Sequence, residues 1–423
     1  MEKVNLKLIQ PKTIQEQSVV IPGSKSISHR MLICASLSKG TSNIENLLKS
    51  DDIFLTRDAL KQMGAKIDEI KNSHSQVKGF GENPQGYYKD IYLGNSGTSM
   101  RLLCGIAALG NTQYVLTGDK RLCERPMIEL LEALSMIGIQ AKSENKNGTP
   151  PIYIKGNSRE GGRINIDCSN SSQYLSSLLM MGAVMKKGLD ITLLGPPVSS
   201  PYIDLTIDIM KKFKVTAHQI DMTRYRVLGQ QSYIHGNFIV EPDLSNAGYF
   251  WAIGAITKKM IWIKNICQNS LQGDLKQIRI LEQMGCTLKI ENNQIGICGS
   301  NLIGIDVDMS DTPDAVPAIA VVASFAKGKT RITNIKHLRE KECDRIDAVS
   351  SQLIKMGIRV NQGEDCLEIT GGEPNGARIE TFNDHRIAMA FSLPGLIVPG
   401  MEIENERCVE KSFPNFWQIL ESL

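Results

Sequence analysis

Between Pro22 and Arg30 the sequence reads PGSKSISHR, a glycine turn followed closely by a lysine, hydroxyls, a histidine and an arginine. Gly23 can take backbone angles closed to other residues. A helix starting near Lys25 or Ser26 would aim its free amides and positive dipole end at the same place as the two cations. That composition suits an anion, a phosphate or a carboxylate. Gly-Ser-Lys-Ser also occurs in ordinary capped turns, and the spacing fails the nucleotide-binding pattern of Gly, four residues, Gly, then Lys and Ser or Thr.

Similar chemistry recurs downstream. LGNSGTSMR, Leu93 to Arg101, follows the short strand DIYL and opens a helix; Asn95, Ser96 or Thr98 could cap it, or join Gly97 in offering amides to an anion. In GDKRLCERPM, Arg125 precedes a proline that starts the next helix, and arginine suits bidentate capture of a carboxylate or phosphate. SNSSQYLSSLLM sets Ser171, Ser172 and Gln173 at the mouth of an apolar helix without a G-x-S-x-G elbow. Hydrogen bonding to an oxyanion is therefore favoured over a serine nucleophile. VSSPYID adds Ser199 and Tyr202 in a proline turn.

The second half brings acids with the cations. DTPDAVPAIA places Asp311 and Asp314 before an apolar helix, where an aspartate is most often a cap. HLREKECDRI, from His337, crowds Lys341, Glu342 and Arg345 at one helix start; a solvated charged face is an equally good reading. NDHRIAMAF joins Asp384, His385 and Arg386 to a buried helix, where charge needs a partner. Lys411 lies in EKSFPNFW.

Two kinds of segment alternate to position these residues. One is a small-residue apolar helix followed by a turn and a strand, as in MLICASLSKGTSNIEN, LLCGIAALGNTQYVLTG, LLMMGAVMKKGLDITLLG, FWAIGAITKKMIWIKNI, IAVVASFAKGKTRITNI and FSLPGLIVPGMEIEN. The other is an amphipathic helix ending near Met-Gly before a β-branched strand, clear in LTRDALKQMGAKI, LLEALSMIGIQAK, LEQMGCTLKI and LIKMGIRVN, and degenerate in IMKKFKVTAH. A period of roughly 70 residues exceeds that of common solenoids, so each unit reads as a β/α subdomain. Six units divide as three and three, with a crossover near His235 to Gly248.

At 423 residues the chain exceeds one ordinary core and suits two or three domains. A net charge of +3 argues against a general nucleic-acid or membrane-surface binder, so basic residues should matter locally. Ten cysteines without a C-x-x-C pair signal neither a metal site nor a disulfide framework. With no apolar run near the roughly 20 residues that span a bilayer, a cytoplasmic protein is expected.

Taken in order, PGSKSISHR, LGNSGTSMR, CERP, SSQYLSSLL, SSPYID, TPDA, REKECDRI, NDHRIAMA and KSFPNF resemble the 5-enolpyruvylshikimate-3-phosphate synthase family of enolpyruvyl transferases across essentially the whole chain. The resemblance implies transfer of the enolpyruvyl group from phosphoenolpyruvate to the 5-hydroxyl of shikimate 3-phosphate, a step toward chorismate and the aromatic amino acids. It implies an α/β fold of two similar domains, each of three β/α units around a pseudo-threefold axis, an inside-out α/β barrel. The first domain would comprise 1–19 plus 239–423 and the second 20–238, with the active site in the cleft. It further implies a monomer acting on two small molecules, with no cofactor, no metal, no nucleic acid and no membrane.

Carried over by position, Lys25, Ser26 and Arg30 hold the ligands, with Lys25 near phosphoenolpyruvate and the other two on shikimate 3-phosphate. Ser171, Ser172, Ser199 and Tyr202 match the shikimate-phosphate side, and Gly97, Arg125, Gln173, Arg345, Arg386 and Lys411 match the phosphoenolpyruvate side. Asp314 and Lys341 match groups on the shikimate ring, while Asn95, Thr98 and His337 complete the ligand set. Asp314 would take the hydroxyl proton, Glu342 would protonate the methylene carbon and recover that proton, and Lys25 and Lys411 would stabilise the leaving phosphate. Gly97 would line the place where glyphosate binds in this family. The sequence departs from the family's usual pattern at Ser99, Leu102 and His337. The alternative is the related UDP-N-acetylglucosamine enolpyruvyl transferase, whose loop cysteine stands five residues before an arginine; here Cys123 stands two before Arg125.

Overall fold

The computed structural model describes residues 5–70, 74–85, 89–156 and 159–423. Its twelve α-helices come in pairs: α1 (Lys25–Ser36) and α2 (Asp51–Gln62), α3 (Gly97–Ala108) and α4 (Ile128–Met136), α5 (Gln173–Gly182) and α6 (Pro201–Lys212). The second half repeats the pattern with α7 (Leu244–Thr257) and α8 (Gln277–Gln283), α9 (Val316–Ser324) and α10 (Arg345–Lys355), α11 (His385–Ser392) and α12 (Phe416–Ser422). The leading members start at residues 25, 97, 173, 244, 316 and 385, which is the period of about 70 residues read from the sequence.

The two helix types differ in what they bury. Leading helices such as α5, QYLSSLLMMG, and α9, VPAIAVVAS, are apolar on every side and buried along nearly their whole length, which a helix of that composition requires. Trailing helices are amphipathic; α6 buries Ile203, Leu205, Thr206, Ile209 and Met210 and turns Lys211 and Lys212 outward. Each repeat adds a small sheet. In the repeat from Ile91 to Lys155, strands Ile91–Tyr92, Gln113–Thr117, Ile152–Lys155 and Gln140–Ser143 lie side by side in that order, the first pair parallel and the others antiparallel. Among the described residues five sheets are four-stranded and one, built on Met401–Glu404, has three strands.

The chain divides into two compact units, one formed by the residues up to Pro22 with Glu241–Leu423, the other by Gly23–Val240. The strand pairing explains why the chain crosses twice. Strand Gln17–Val19 leads into α1 but pairs with Ile261–Ile263 of the first unit. Strand Asn237–Ile239 leads into α7 but pairs with Thr41–Glu45 of the second. Each unit thus completes the sheet of its first repeat with a strand remote in sequence, Gln17–Val19 in one and Asn237–Ile239 in the other.

The Met-Gly signature is a helix stop. Met63, Ile137, Met284 and Met356 are C-caps, and the glycines behind them, Gly64, Gly138, Gly285 and Gly357, all have positive φ between 80° and 106°. That left-handed step satisfies the last carbonyls at no cost to glycine. In the degenerate copy Lys214 takes the glycine's place with φ 63°, exposed to solvent. A left-handed L-residue costs about 1–2 kcal/mol, partly offset by the extra backbone entropy a glycine loses. Lys214→Gly should therefore raise stability by about 0.5–1 kcal/mol in urea denaturation; a lower midpoint would show that the lysine side chain contributes more than the strain removes.

Candidate functional site

In the unit formed by Gly23–Val240, the N-terminal ends of α1, α3 and α5 converge. Gln173 at the start of α5 donates to Thr98 Oγ1 on α3 at 3.0 Å, and Ser99 on α3 donates to the Asp52 carbonyl on α2 at 3.4 Å. Asp52 in turn faces the Lys25 ammonium at the start of α1, 3.4 Å away. The three N-caps are Ser24, Ser96 and Ser172, and neither Ser24 nor Ser172 closes its helix with a side-chain hydrogen bond. Neutral caps leave the positive ends of three helix dipoles pointing inward.

Four cations sharpen that field. Arg30 is 1% exposed, and its guanidinium donates to Thr206 Oγ1 (2.7 Å), Ser176 Oγ (3.2 Å), the Tyr202 carbonyl (3.3 Å) and the Ser26 carbonyl (3.0 Å). With neutral acceptors around it, burial pulls its pKa down to about 10. Arg101 donates to Gln173 Oε1 at 3.1 Å and lies over the Tyr174 ring. Arg125, buried, lies against Gly97: a Cβ there would sit 2.6 Å from Arg125 Cζ. Gly97 thus leaves room for the guanidinium, which any larger residue would push aside. Gly23 proves to be a matter of space as well, since its φ is not positive and an added Cβ would run into the Asn46 carbonyl. Ser171, Ser172 and Ser199 are buried in the turns before α5 and α6, Ser199 with φ 53°, and Tyr202 and Asn95 are half-buried.

The other unit gathers the acids. Arg345, the first residue of α10 and 1% exposed, holds three carboxylates: Asp384 Oδ2 at 2.7 Å, Asp314 Oδ1 at 2.8 Å and Glu342 Oε2 at 2.7 Å. Arg386 bonds Asp314 Oδ2 at 2.7 Å and Tyr249 on α7 at 3.4 Å, while Lys411 lies 3.9 Å from Glu342 Oε1. Burial alone would lower the Arg345 pKa, but Asp384, Glu342 and Asp314 raise it well above its ordinary value. Asp314 is therefore no helix cap; it sits in the turn Pro313–Ala315 ahead of α9 and faces two guanidiniums. Asp311 instead pairs with Lys276 at the surface. Asp243 and Asp384 do cap, accepting from the amides of Asn246 (3.0 Å) and Arg386 (2.8 Å). The solvated-face reading of HLREKECDRI fails for Arg345 and Glu342, whose side chains are 1% and 10% exposed.

Several participants were not singled out by sequence reasoning. Asp52, Arg101, Ser176 and Thr206 orient ligand candidates from elements remote in sequence, and only their positions one or two turns from a helix start could have marked them. Asp274 is another, a buried carboxyl whose pKa is pushed up to about 7 by burial and by Asp314. Among the described residues no group of three His, Cys, Asp or Glu side chains could hold a metal ion, and no helix is long and apolar enough to cross a membrane.

Cations over serine-started helix ends in one unit, and carboxylates gripped by guanidiniums in the other, define an α/β protein equipped to bind anions and to move protons. The chain belongs to the EPSP synthase (3-phosphoshikimate 1-carboxyvinyltransferase) family, whose model matches residues 9–420. It is 40% identical to the 3-phosphoshikimate 1-carboxyvinyltransferase of Tolumonas auensis over 98% of both chains, and 39% identical to that of Methanococcus aeolicus over 98% of both. A solved EPSP synthase from Acinetobacter baumannii superposes with a TM-score of 0.85 at 29% identity, covering 99% of this chain and 98% of that one.

His337 offers a check on the electrostatics. It is 6% exposed, and burial, then Lys341, lowers its pKa to about 3, so the folded protein keeps it neutral. Unfolded, the imidazole titrates near about 6.5. As pH falls below that value the unfolded state binds the extra proton first, so this contribution to stability is whole above about pH 6.5 and declines toward the folded value. The His337 ring signals should stay fixed in NMR titration from about pH 8 to 5; a midpoint near 6.5 would mean the ring is not buried as described.

Proposed function

We propose that this chain transfers the enolpyruvyl group of phosphoenolpyruvate to the 5-hydroxyl of shikimate 3-phosphate, releasing inorganic phosphate, and that both clusters serve this one reaction. The observation that carries the reading is the division of chemistry: four cations over helix ends in one unit, and Asp314 and Glu342 bound to a single guanidinium in the other. Family membership over residues 9–420 supplies the substrates. The UDP-N-acetylglucosamine reading gains nothing, because the half-buried Cys123 thiol makes a 3.6 Å contact to the Gly118 carbonyl and keeps the wrong register to Arg125. Action in the cytoplasm as a monomer belongs to the same reading.

On this reading Ser26, Arg30, Ser171, Ser172, Ser199 and Tyr202 take shikimate 3-phosphate, Lys341 meets the shikimate ring, and Asn95, Thr98 and His337 complete the ligand set of the two substrates. Lys25, Gly97, Arg125, Gln173, Arg345, Arg386 and Lys411 take phosphoenolpyruvate. Both oxygens of Asp314 are occupied by guanidinium donors, from Arg345 and Arg386. An incoming substrate carboxylate would compete for those donors, and a carboxylate released from a cation is the better base. Asp314 then removes the 5-hydroxyl proton as that oxygen bonds to C2 of phosphoenolpyruvate, while Glu342, once it has taken up a proton from solvent, delivers that proton to C3. In the second step Glu342 takes a proton back from C3, the double bond re-forms, and phosphate leaves with Lys25 and Lys411 balancing its charge.

Phosphate release with phosphoenolpyruvate and either shikimate 3-phosphate or UDP-N-acetylglucosamine tests the reaction; only the first acceptor should support turnover. Asp314→Asn and Glu342→Gln should each lower kcat by about a hundredfold to ten-thousandfold while shikimate 3-phosphate still binds. Near-normal turnover in either variant would remove that residue from the proton path. Gly97→Ala forces the Arg125 guanidinium aside, so it should weaken phosphoenolpyruvate and, to a greater degree, the longer inhibitor glyphosate. Unchanged inhibition would place Gly97 outside that site.

A further inference from the structure

Beneath the cation cluster runs a buried chain of side-chain hydrogen bonds that none of the roles above uses. His29 Nδ1 lies 2.8 Å from Thr56 Oγ1, Thr56 Oγ1 lies 2.7 Å from Ser99 Oγ, and Ser99 Oγ lies 2.7 Å from Ser96 Oγ. All four residues are 0% exposed. The chain ties α1 to α2 and α2 to the N-cap and first turn of α3. Ser99 is its hub, because its hydroxyl also donates to the Asp52 carbonyl and its amide donates to Ser96 Oγ, each at 3.4 Å.

We propose that Ser99 is a positioning residue for phosphoenolpyruvate: its hydroxyl fixes the first turn of α3, and so Gly97 and Thr98, against the start of α2 that faces Lys25. The proposal rests on the reaction proposed above. A hydroxyl has one proton and two lone pairs, and Ser99 Oγ has three oxygen neighbours, so its bonding capacity is filled. Without it, Thr56 and Ser96 would each lose a partner in a place water does not reach. Thr56 is fixed inside α2, so the cheaper relief is a shift of the α3 end. That end carries Gly97, against which the Arg125 guanidinium packs, and Thr98, which accepts from Gln173 at 3.0 Å. Asp52, whose carbonyl Ser99 binds, has its carboxylate 3.4 Å from the Lys25 ammonium. The groups these contacts hold, Gly97, Arg125, Gln173 and Lys25, belong to the phosphoenolpyruvate side of the reading above. Arg30, on the shikimate-phosphate side, is held by a separate set, Thr206, Ser176 and the Tyr202 carbonyl on α5 and α6.

That separation makes the proposal measurable. Ser99→Ala should raise KM for phosphoenolpyruvate about fivefold, the worth of one lost buried hydrogen bond, and leave KM for shikimate 3-phosphate and kcat within about twofold. Thr56→Val removes the neighbouring link with little change of shape and should raise the same KM. Because the two act through one contact, the double variant should be no worse than the more affected single one. A merely structural role would reduce the folded fraction, seen as a lower kcat and melting temperature with both KM values unchanged. That pattern, an unchanged KM for phosphoenolpyruvate, or an equal rise for both substrates in the folded variants would overturn the proposal. If the unaltered protein releases phosphate normally, such a result leaves the reaction standing; if it releases none, the reaction falls and this proposal with it.

Discussion

One guanidinium organises the acidic half of the chemistry. Arg345 is 1% exposed, and a charge at that depth is tolerated only when paired and hydrogen-bonded. It reaches Asp384 on α11, Asp314 ahead of α9 and Glu342 in its own approach to α10. Three helix starts, those of α9, α10 and α11 in two successive repeats of one unit, are therefore pinned together. Such a network adds little stability over an apolar core of equal volume, but breaking it by removing one partner would cost about 3–5 kcal/mol. Its value lies in register: the two proposed proton-transfer groups share a donor and cannot move independently of it.

The other unit meets the same geometric situation with the opposite chemistry. Its three leading helices start at serines, and the buried Arg30 is satisfied by hydroxyls and carbonyls. Where the acidic half offsets its helix dipoles with Asp243 and Asp384, this half has only neutral serines at those ends. Duplicated architecture has thus been given two electrostatic signs. On the reading proposed above, an anion arriving in the serine-capped half would meet a guanidinium, Arg30, held by neutral acceptors, whereas in the aspartate-capped half it would displace a resident carboxylate.

The sequence made much of this legible, for physical reasons that differ by element. The six leading helices show as unbroken small apolar runs because they are buried on all sides, and the trailing ones show by the Met-Gly stop that left-handed C-caps demand. Ligand candidates clustered in motifs because repeats place them at helix starts, next to glycines and prolines that punctuate the sequence. The need of Asp384 for a partner was readable from its neighbours; that the partner is Arg345 was not, since the two lie 39 residues apart and meet only through packing. The same holds for Arg30 with Ser176 and Thr206, and for His29 with Thr56. Ordinary serines and threonines inside helices carry no mark of whether they face solvent, core or a buried cation.

The pairing pattern also bears on how a site this charged stays folded before substrate arrives. Asp314 and Glu342 fill donor positions on Arg345, Arg386 and, more loosely, Lys411. On the proposed reading these acids stand in for the substrate's own anionic groups, so binding would exchange one ion pair for another and bury no new charge unpaired. Exchange of this kind would link binding to chemistry, because the carboxylate set free is the one proposed as the base. A buried guanidinium that merely waited for its ligand would be costly; one shared between a resident acid and an arriving one would cost little and, on the proposed reading, would time the proton transfer to the arrival of substrate.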